Sequence, residues 1–231
     1  MTSKKYGMVI DLQKCVGCAA CDIACKSENN VPDDFHWSNH IIETTGKFPD
    51  VRYRYVPTLC NHCENAPCVR NCPTTAMHKS EDGLTLHDPD LCIGCAACQV
   101  SCPYGVIYRN NEDPHPRWKT DETAIIPGCT ATAQEVVKGL NTPIPHYNAE
   151  REATYEGIRP KGIVEKCTFC DHRLAQDKDP WCVVSCPANA RIFGDLNDPK
   201  SPPRRALAKH SPRILQPEKG TKPKVYYIRE F

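Results

Sequence analysis

The sequence is poor in the features that build a large apolar core. Only 40% of its 231 residues are hydrophobic, 7% are aromatic, and 21 prolines outnumber 12 glycines. No apolar run reaches the roughly 18–20 residues of a membrane-spanning helix, and the first residues lack the apolar stretch of a secretory signal. We therefore expect neither a membrane-integral protein nor one that is exported by its own signal.

The chain also lacks an excess of charge of either sign. Its 29 Lys and Arg residues nearly balance 28 Asp and Glu residues, which argues against a nucleic-acid binder that works through bulk positive charge. The sequence contains no phosphate-binding loop, no Gly-x-Gly-x-x-Gly motif and no Ser-His-Asp arrangement. No substrate site is therefore predicted in this chain.

Cysteine is abundant, and 16 of the 17 cysteines form four groups of four. Groups one and three share the spacing C-x2-C-x2-C-x3-C, whereas groups two and four are gapped, C-x2-C-x4-C-x3-C and C-x2-C-x11-C-x3-C. In chain order the groups are Cys15, Cys18, Cys21 and Cys25; Cys60, Cys63, Cys68 and Cys72; Cys92, Cys95, Cys98 and Cys102; and Cys167, Cys170, Cys182 and Cys186. Each half of the chain thus repeats one compact and one gapped motif.

The compact spacing is typical of bacterial ferredoxins, in which three close cysteines hold one [4Fe–4S] cluster and the fourth ligates its neighbour. A disulfide scaffold is typical of short secreted chains, and a zinc site usually has two separated C-x-x-C pairs, so neither explains four quartets. We predict four [4Fe–4S] clusters. Cys129 lies outside the groups, and a buried free thiol is favoured there over a redox-active thiol or an extra ligand.

Short elements are predicted around these motifs. Strands are expected at 7–12, 52–59 and, as a hairpin after Asp82-Gly83, at 84–88. Short helices are expected after Cys21, Cys68, Cys98 and Cys182, with another near 131–139. The proline-rich, basic tail is predicted to lie along a partner or to be partly mobile. The predicted fold is loop-rich α+β, with two ferredoxin-like double-[4Fe–4S] modules, a long insert and an extended C-terminal tail.

Several charged residues and histidines lie within or beside the motifs. The histidines, His62 and His172, are predicted to pack or to hydrogen-bond rather than to bind iron, because each quartet is already complete. The basic residues either offset the negative charge of a cluster and raise its potential or are solvated surface charges: Lys14, Lys26, Arg70, Lys166 and Arg173.

The order of the four quartets resembles the iron–sulfur subunit of the molybdopterin oxidoreductase family of dimethyl sulfoxide reductase type, over nearly the whole chain. The segments that carry the resemblance are CNHCENAPCVRNCP at 60–73, CQVSCPYG at 98–105 and KCTFCDHR at 166–173. The insert and the segments 158–165 and 187–198 look most like the small subunit of respiratory arsenate reductases. Subunits of thiosulfate, polysulfide and tetrathionate reductases are close in pattern.

The resemblance implies which cysteines share a cluster, because groups one and four pair in such subunits, as do groups two and three. The implied ligand sets are Cys15, Cys18, Cys21 and Cys186 for cluster one; Cys25, Cys167, Cys170 and Cys182 for cluster two; Cys60, Cys63, Cys68 and Cys102 for cluster three; and Cys72, Cys92, Cys95 and Cys98 for cluster four. The modules would then be 1–55 with 160–195, and 56–110, followed by an insert at 111–159 and a tail at 196–231. Spacing alone does not assign these pairs.

The resemblance also implies a role without catalysis in this chain. Such a subunit passes single electrons to or from a molybdenum-bis(pyranopterin) catalytic subunit, and its electron partner is a membrane quinol-oxidising anchor or a c-type cytochrome. It is expected in the periplasm, carried there folded with its catalytic partner. One alternative is a freestanding polyferredoxin, which would be cytoplasmic. Another is a subunit whose clusters serve only structure.

Overall fold

The computed structural model describes residues 4–114, 129, 131–141 and 148–229. Within these ranges the chain forms small sheets and short helices that loops connect. The strands are β1 (Tyr6–Asp11), β2 (Ser38–Lys47), β3 (Asp50–Leu59), β4 (Met77–Lys79), β5 (Thr85–His87), β6 (Ile107–Arg109), β7 (Val164–Lys166), β8 (Arg191–Asp195) and β9 (Val225–Ile228). The helices are α1 (Ala20–Asn29), α2 (Pro67–Arg70), α3 (Ala97–Ser101), α4 (Ala133–Leu140), α5 (Asp171–Leu174), α6 (Trp181–Val184) and α7 (Pro202–Lys209), and short 3-10 helices lie at Ala149–Ala153 and Pro217–Lys219.

The main sheet has the order β8-β1-β9, with β1 antiparallel to β8 and parallel to β9. Its central strand carries the apolar run Met8-Val9-Ile10, all of it fully buried, as expected for a strand that is covered on both faces. Phe193 from β8 and Val225 from β9 complete this core. The predicted strand at 7–12 is confirmed, with bounds shifted by one residue.

The prediction of an extended tail is wrong for two segments. Helix α7 begins with two prolines in its first turn, and Ser201 Oγ caps it by accepting a hydrogen bond from the backbone N–H of Arg204. Strand β9 lies in the main sheet beside β1, and its register pairs Met8 with Val225. A strand of four residues leaves a weak periodic signal, so only pairing with a distant strand reveals it.

Three antiparallel pairs complete the sheets: β2 with β3, β4 with β5, and β6 with β7. The predicted strands at 52–59 and 84–88 are confirmed as β3 and β5, whereas β2 was not predicted. The β6–β7 pair joins Ile107 to Lys166 and thereby ties together the chain on either side of the predicted insert.

The four helices that were predicted beside cysteines are confirmed, although each begins one residue before the cysteine. Helix α1 packs against α6, and α2 packs against α3. In the insert, α4 confirms the helix that was predicted near 131–139; residues 115–128, 130 and 142–147 lie outside the described ranges. No helix in the described ranges combines the length and the apolar character needed to cross a bilayer.

Candidate functional site

The three leading cysteines of group one lie with the last cysteine of group four around one small cavity. Its lining includes Cys15, Cys18, Cys21 and Cys186. The loop folds tightly because Gly17 has φ +67° and Ala19 has φ 59°, both in the left-handed region. A Cβ atom on Gly17 would lie 2.8 Å from the ring of Tyr55, so the loop and β3 fit closely only with glycine there.

The remaining cysteine of group one lies with the other three of group four. Cys25 interacts electrostatically with Cys167, Cys170 and Cys182, and all four are buried. Asn29, one turn after Cys25 on α1, places Nδ2 at 3.6 Å from Cys25 Sγ and 3.5 Å from Cys170 Sγ. The packing of α1 on α6 thus brings two distant motifs together in the core.

Groups two and three exchange their last cysteines in the same way. One cavity is lined by Cys60, Cys63, Cys68 and Cys102, and a second by Cys72, Cys92, Cys95 and Cys98. The loop of group three repeats that of group one, since Gly94 has φ 65° and Ala96 has φ 59°. A Cβ atom on Gly94 would collide with the backbone carbonyl of Gly162. The chain therefore brings together the four ligand sets that the resemblance implied. We call these sets quartets one to four, after clusters one to four.

Several buried thiols of these quartets resist ionisation in the protein alone. Burial, followed by the charge of neighbouring cysteines, raises the pKa of Cys68 to about 12 and that of Cys170 to about 12. Burial likewise raises the pKa of Cys98 to about 11. Four thiolates within one buried cavity repel each other unless a metal centre neutralises them, and metal binding deprotonates such thiols. The donor set fits an iron–sulfur cluster in each cavity.

Backbone N–H groups are directed at the quartets, as is common around iron–sulfur clusters. The N–H of Gly94 donates to Cys92 Sγ at 3.4 Å, that of Phe169 to Cys167 Sγ at 3.4 Å, and that of Ala190 to Cys186 Sγ at 3.3 Å. These donors favour the negatively charged state of the sulfur.

Two charged side chains beside the first quartet were not predicted from the sequence. Arg191 is buried, and its Nη2 donates to Cys21 Sγ at 3.3 Å; burial opposes its charge, but Cys182 and Cys21 raise its pKa. His40 pairs with Asp22 at 2.6 Å, and hydrogen bonds to Asp22 and Cys15 raise its pKa to about 11. Both come from strands that pack beside distant motifs, so no local spacing marks them.

Three lysines converge near the β4–β5 hairpin without carboxylate partners in the described part of the chain. Lys79 Nζ donates to the carbonyls of Cys63 at 2.9 Å and Gly83 at 2.7 Å, Lys166 Nζ to those of Cys167 at 2.9 Å and Thr85, and Lys224 Nζ to that of Gly83. Burial and neighbouring lysines lower the pKa of Lys224 to about 7. Buried ammonium groups without a counter-ion are costly, and anionic clusters would supply that counter-ion.

Of the other basic residues predicted beside the ligands, two are exposed and two bind nearby groups of the protein. Lys14 and Arg70 are exposed, whereas Lys26 donates to three backbone carbonyls, those of residues 32, 33 and 35, each at 2.8 Å. Arg173 pairs with Glu28 at 3.3 Å and stacks on Trp181. Of the five, Lys166 is the buried charge between quartets.

Both histidines of the motifs pack and hydrogen-bond, as predicted. The buried ring of His62 stacks on Phe169, with centroids 3.9 Å apart, and its Nδ1 accepts from the N–H of Thr85. His172 Nε2 lies 2.9 Å from Glu28 Oε1. The preference for a buried Cys129 is wrong, because this residue is exposed.

Comparison with known proteins places these observations in a family. A 4Fe-4S dicluster domain matches residues 51–143. The chain is 53% identical to the iron–sulfur subunit of the arsenate respiratory reductase of Shewanella sp., over 98% of this chain and 97% of that one. It is 39% identical to a putative dimethyl sulfoxide reductase iron–sulfur subunit of Halobacterium salinarum (96% and 78% covered) and 35% identical to a polysulfide reductase subunit of Wolinella succinogenes (98% and 95% covered).

Sixteen cysteines in four quartets, three lysines without carboxylate partners among the described residues, and full-length similarity all indicate the same conclusion. The chain carries four [4Fe–4S] clusters, and it belongs to the family of electron-transferring iron–sulfur subunits of molybdopterin oxidoreductases.

Proposed function

We propose that this chain is the iron–sulfur subunit of a respiratory arsenate reductase, in which it relays single electrons to a molybdenum-bis(pyranopterin) catalytic subunit. The observation that carries the electron-transfer role is the assembly of sixteen cysteines into four adjacent quartets. The choice of arsenate rests on the 53% identity to an arsenate reductase subunit, against 35% and 33% for polysulfide and tetrathionate reductase subunits.

The proposed ligands are the four quartets described above. Cys15, Cys18, Cys21 and Cys186 hold cluster one; Cys25, Cys167, Cys170 and Cys182 hold cluster two; Cys60, Cys63, Cys68 and Cys102 hold cluster three; and Cys72, Cys92, Cys95 and Cys98 hold cluster four. When bound, each [4Fe–4S] cluster accepts and releases one electron. The contacts of α1 with α6 and of α2 with α3 support two ferredoxin-like modules, 1–55 with 160–195 and 56–110.

In electron transfer, the protein positions the clusters, shields them from solvent and offsets their negative charge. Quartets two and three consist mainly of buried cysteines, whereas Cys18 and Cys95 are exposed. Electrons therefore enter and leave this chain beside Cys18 and Cys95. Arg191 at quartet one and the lysines around the β4–β5 hairpin stabilise the additional negative charge of the reduced state.

The partners and the location are part of the same proposal. The catalytic subunit is the permanent partner, and a membrane quinol-oxidising anchor or a c-type cytochrome supplies electrons. We place the complex in the periplasm, to which the chain travels folded with the catalytic subunit.

The test is anaerobic co-purification of this chain with its catalytic partner, followed by viologen-driven reduction of arsenate, tetrathionate, thiosulfate and polysulfide. We expect a molybdenum-containing complex that reduces arsenate at least ~10-fold faster than the other three. A complex selective for a sulfur oxyanion or polysulfide would overturn the arsenate assignment. A chain recovered alone with iron and without molybdenum would instead indicate a freestanding polyferredoxin.

A further inference from the structure

The β2–β3 hairpin, residues 38–59, projects from the protein with few contacts to the described residues. Its outer residues, 43–47 and 50–53, are all exposed on both strands. A strand rises about 3.4 Å per residue, so this outer part is roughly 15–20 Å long. An isolated two-stranded hairpin is at best marginally stable in water, and such a projection gains stability when another surface covers it.

The two faces of the hairpin differ in chemistry. The register pairs Ile42 with Tyr55, Thr44 with Tyr53 and Gly46 with Val51 on one face, hereafter the apolar face. Beyond the pair of Ile41 and Val56, the opposite face is polar and charged and includes Glu43, Thr45, Lys47, Asp50, Arg52 and Arg54.

The apolar face carries large side chains that remain in solvent. Ile42 is 62% exposed, Tyr53 is 57% exposed and Phe48, at the tip between the strands, is 92% exposed. A charged face with an apolar counterpart is expected for a strand pair that is buried on one side only. Among the described residues, however, nothing covers the apolar side.

The apolar face continues onto the surface of the first quartet. The ring of Tyr55 lies against Gly17, between Cys15 and Cys18, and the rings of Tyr53 and Tyr55 are 5.8 Å apart. Val16 in the same loop and Ile23, two residues after Cys21 on α1, are also exposed and add apolar area beside quartet one. With Ile42, Phe48, Val51 and Tyr53 they expose on the order of 600 Å², close to the ~800 Å² that one partner buries in a standard protein interface.

The other exposed quartet provides an internal comparison. Its loop carries apolar residues at the equivalent positions, Ile93 and Val100, both exposed. The hairpin that lines the cavity of that quartet, β4–β5, has strands of only three residues, whereas β2 and β3 have ten each. The two ends of the relay therefore differ in the area that they offer to a partner, and the larger apolar area lies beside Cys18.

We propose that the apolar face of the β2–β3 hairpin is the docking surface for the catalytic subunit and that it fixes this subunit beside quartet one. The choice of partner rests on the proposed function. Permanent interfaces are larger and more apolar than the small, wet contacts of transient electron-transfer partners. The larger apolar surface thus belongs to the subunit that stays bound, and the smaller patch around Ile93 faces the electron donor.

The experiment co-expresses this chain with its catalytic subunit and compares matched aspartate variants on the two faces. Ile42→Asp and Val51→Asp change the apolar face, while Thr45→Asp and Arg52→Asp change the opposite face at neighbouring exposed positions. Iron content near the wild-type value shows that each variant is folded. We expect the apolar-face variants to lose at least ~10-fold of the co-purified catalytic subunit, and the controls to retain it.

A photocrosslinker gives an independent readout. With p-benzoylphenylalanine in place of Phe48, irradiation of the complex is expected to join this chain to the catalytic subunit, whereas the same probe at Thr45 gives no such product. Apolar-face variants that bind the catalytic subunit like wild type would overturn the docking assignment. So would a crosslink between two copies of this chain or to a membrane anchor. Failure of the wild-type chain to bind any molybdenum protein would instead overturn the proposed function.

Discussion

At the scale of single residues, the sites depend on backbone shape and on buried charge as much as on cysteine. Gly94 illustrates the first, because its left-handed backbone and the adjacent carbonyl of Gly162 exclude any side chain. Lys166 illustrates the second, because it is 2% exposed and has only backbone carbonyls as partners in the described residues. The close approach of Gly162 explains the glycine at position 94, and an anionic cluster nearby would explain the buried charge of Lys166.

Gly94→Ala is expected to remove the cluster of the fourth quartet, because its new methyl group would collide with backbone rather than with a flexible side chain. Iron content should fall from about sixteen to about twelve atoms per chain. Gly105→Ala is the matched control, since Gly105 has φ +63° but open space around the added atom. Equal iron loss in both variants would show that left-handed strain, and not the close approach, limits the site.

Lys166→Met is expected to lower the reduction potential of the nearest clusters, because the reduced state loses a buried positive neighbour. A unit charge at an effective dielectric constant of about 20 gives a shift on the order of 50 mV or more. The measurement is an anaerobic redox titration followed by electron paramagnetic resonance. Exposed Lys161→Met serves as the control, and potentials unchanged in Lys166→Met would contradict the charge-balancing role.

At the scale of elements, strand β9 packs in the same core as cysteines of quartets one and two. Val225 is fully buried and lies beside Met8 of the central strand. A segment that is rich in proline and positive charge thus contributes a strand to the core.

Val225→Asp is expected to prevent stable assembly, because burial of an unpaired carboxylate costs several kcal/mol. The readout is the yield of soluble, iron-loaded protein and the temperature at which its visible absorbance is lost. Lys219 is exposed in the same tail. As a control, Lys219→Asp should leave both the yield and the thermal stability near wild type. Wild-type yield and thermal behaviour in Val225→Asp would show that β9 is dispensable.

Local sequence patterns predicted the helices and strands next to the cysteine motifs. They did not predict strands that form only by pairing with a distant segment. The cysteine spacing indicated α1, α2, α3 and α6, and Asp82-Gly83 indicated β5, because each signal lies within a few residues. Strand β2 has no strong alternation and becomes recognisable only opposite β3. The positions of Arg191 and Lys224 follow from strands β8 and β9 meeting β1, which no spacing within one motif encodes.

At the scale of the whole molecule, quartets one and four each have an exposed cysteine, Cys18 and Cys95, whereas quartets two and three are mostly buried. Groups one and four come from opposite ends of the chain, so clusters one and two also crosslink distant segments that a thin apolar core would hold weakly. The same sulfurs that transfer electrons therefore stabilise the fold.

Cys182→Ser is expected to remove the buried second cluster, with a loss of about four irons and lower thermal stability. Cys129→Ser provides a cysteine control outside the quartets and should retain all iron. With the catalytic subunit bound, the Cys182→Ser complex should keep turnover with a viologen that reaches the catalytic subunit directly. It should lose turnover that is driven through this chain, and full activity from the physiological donor would contradict an obligatory path through that quartet.

The most direct test of the central claim is the reoxidation of this chain by the catalytic substrate. The complex is reduced anaerobically, freed of excess reductant and mixed with arsenate in a stopped-flow instrument, while the visible absorbance of the clusters is recorded. We predict that all four clusters are reoxidised at least as fast as the enzyme turns over. Clusters that remain reduced while arsenate is consumed, or that reoxidise more slowly than turnover, would contradict an electron relay through this subunit.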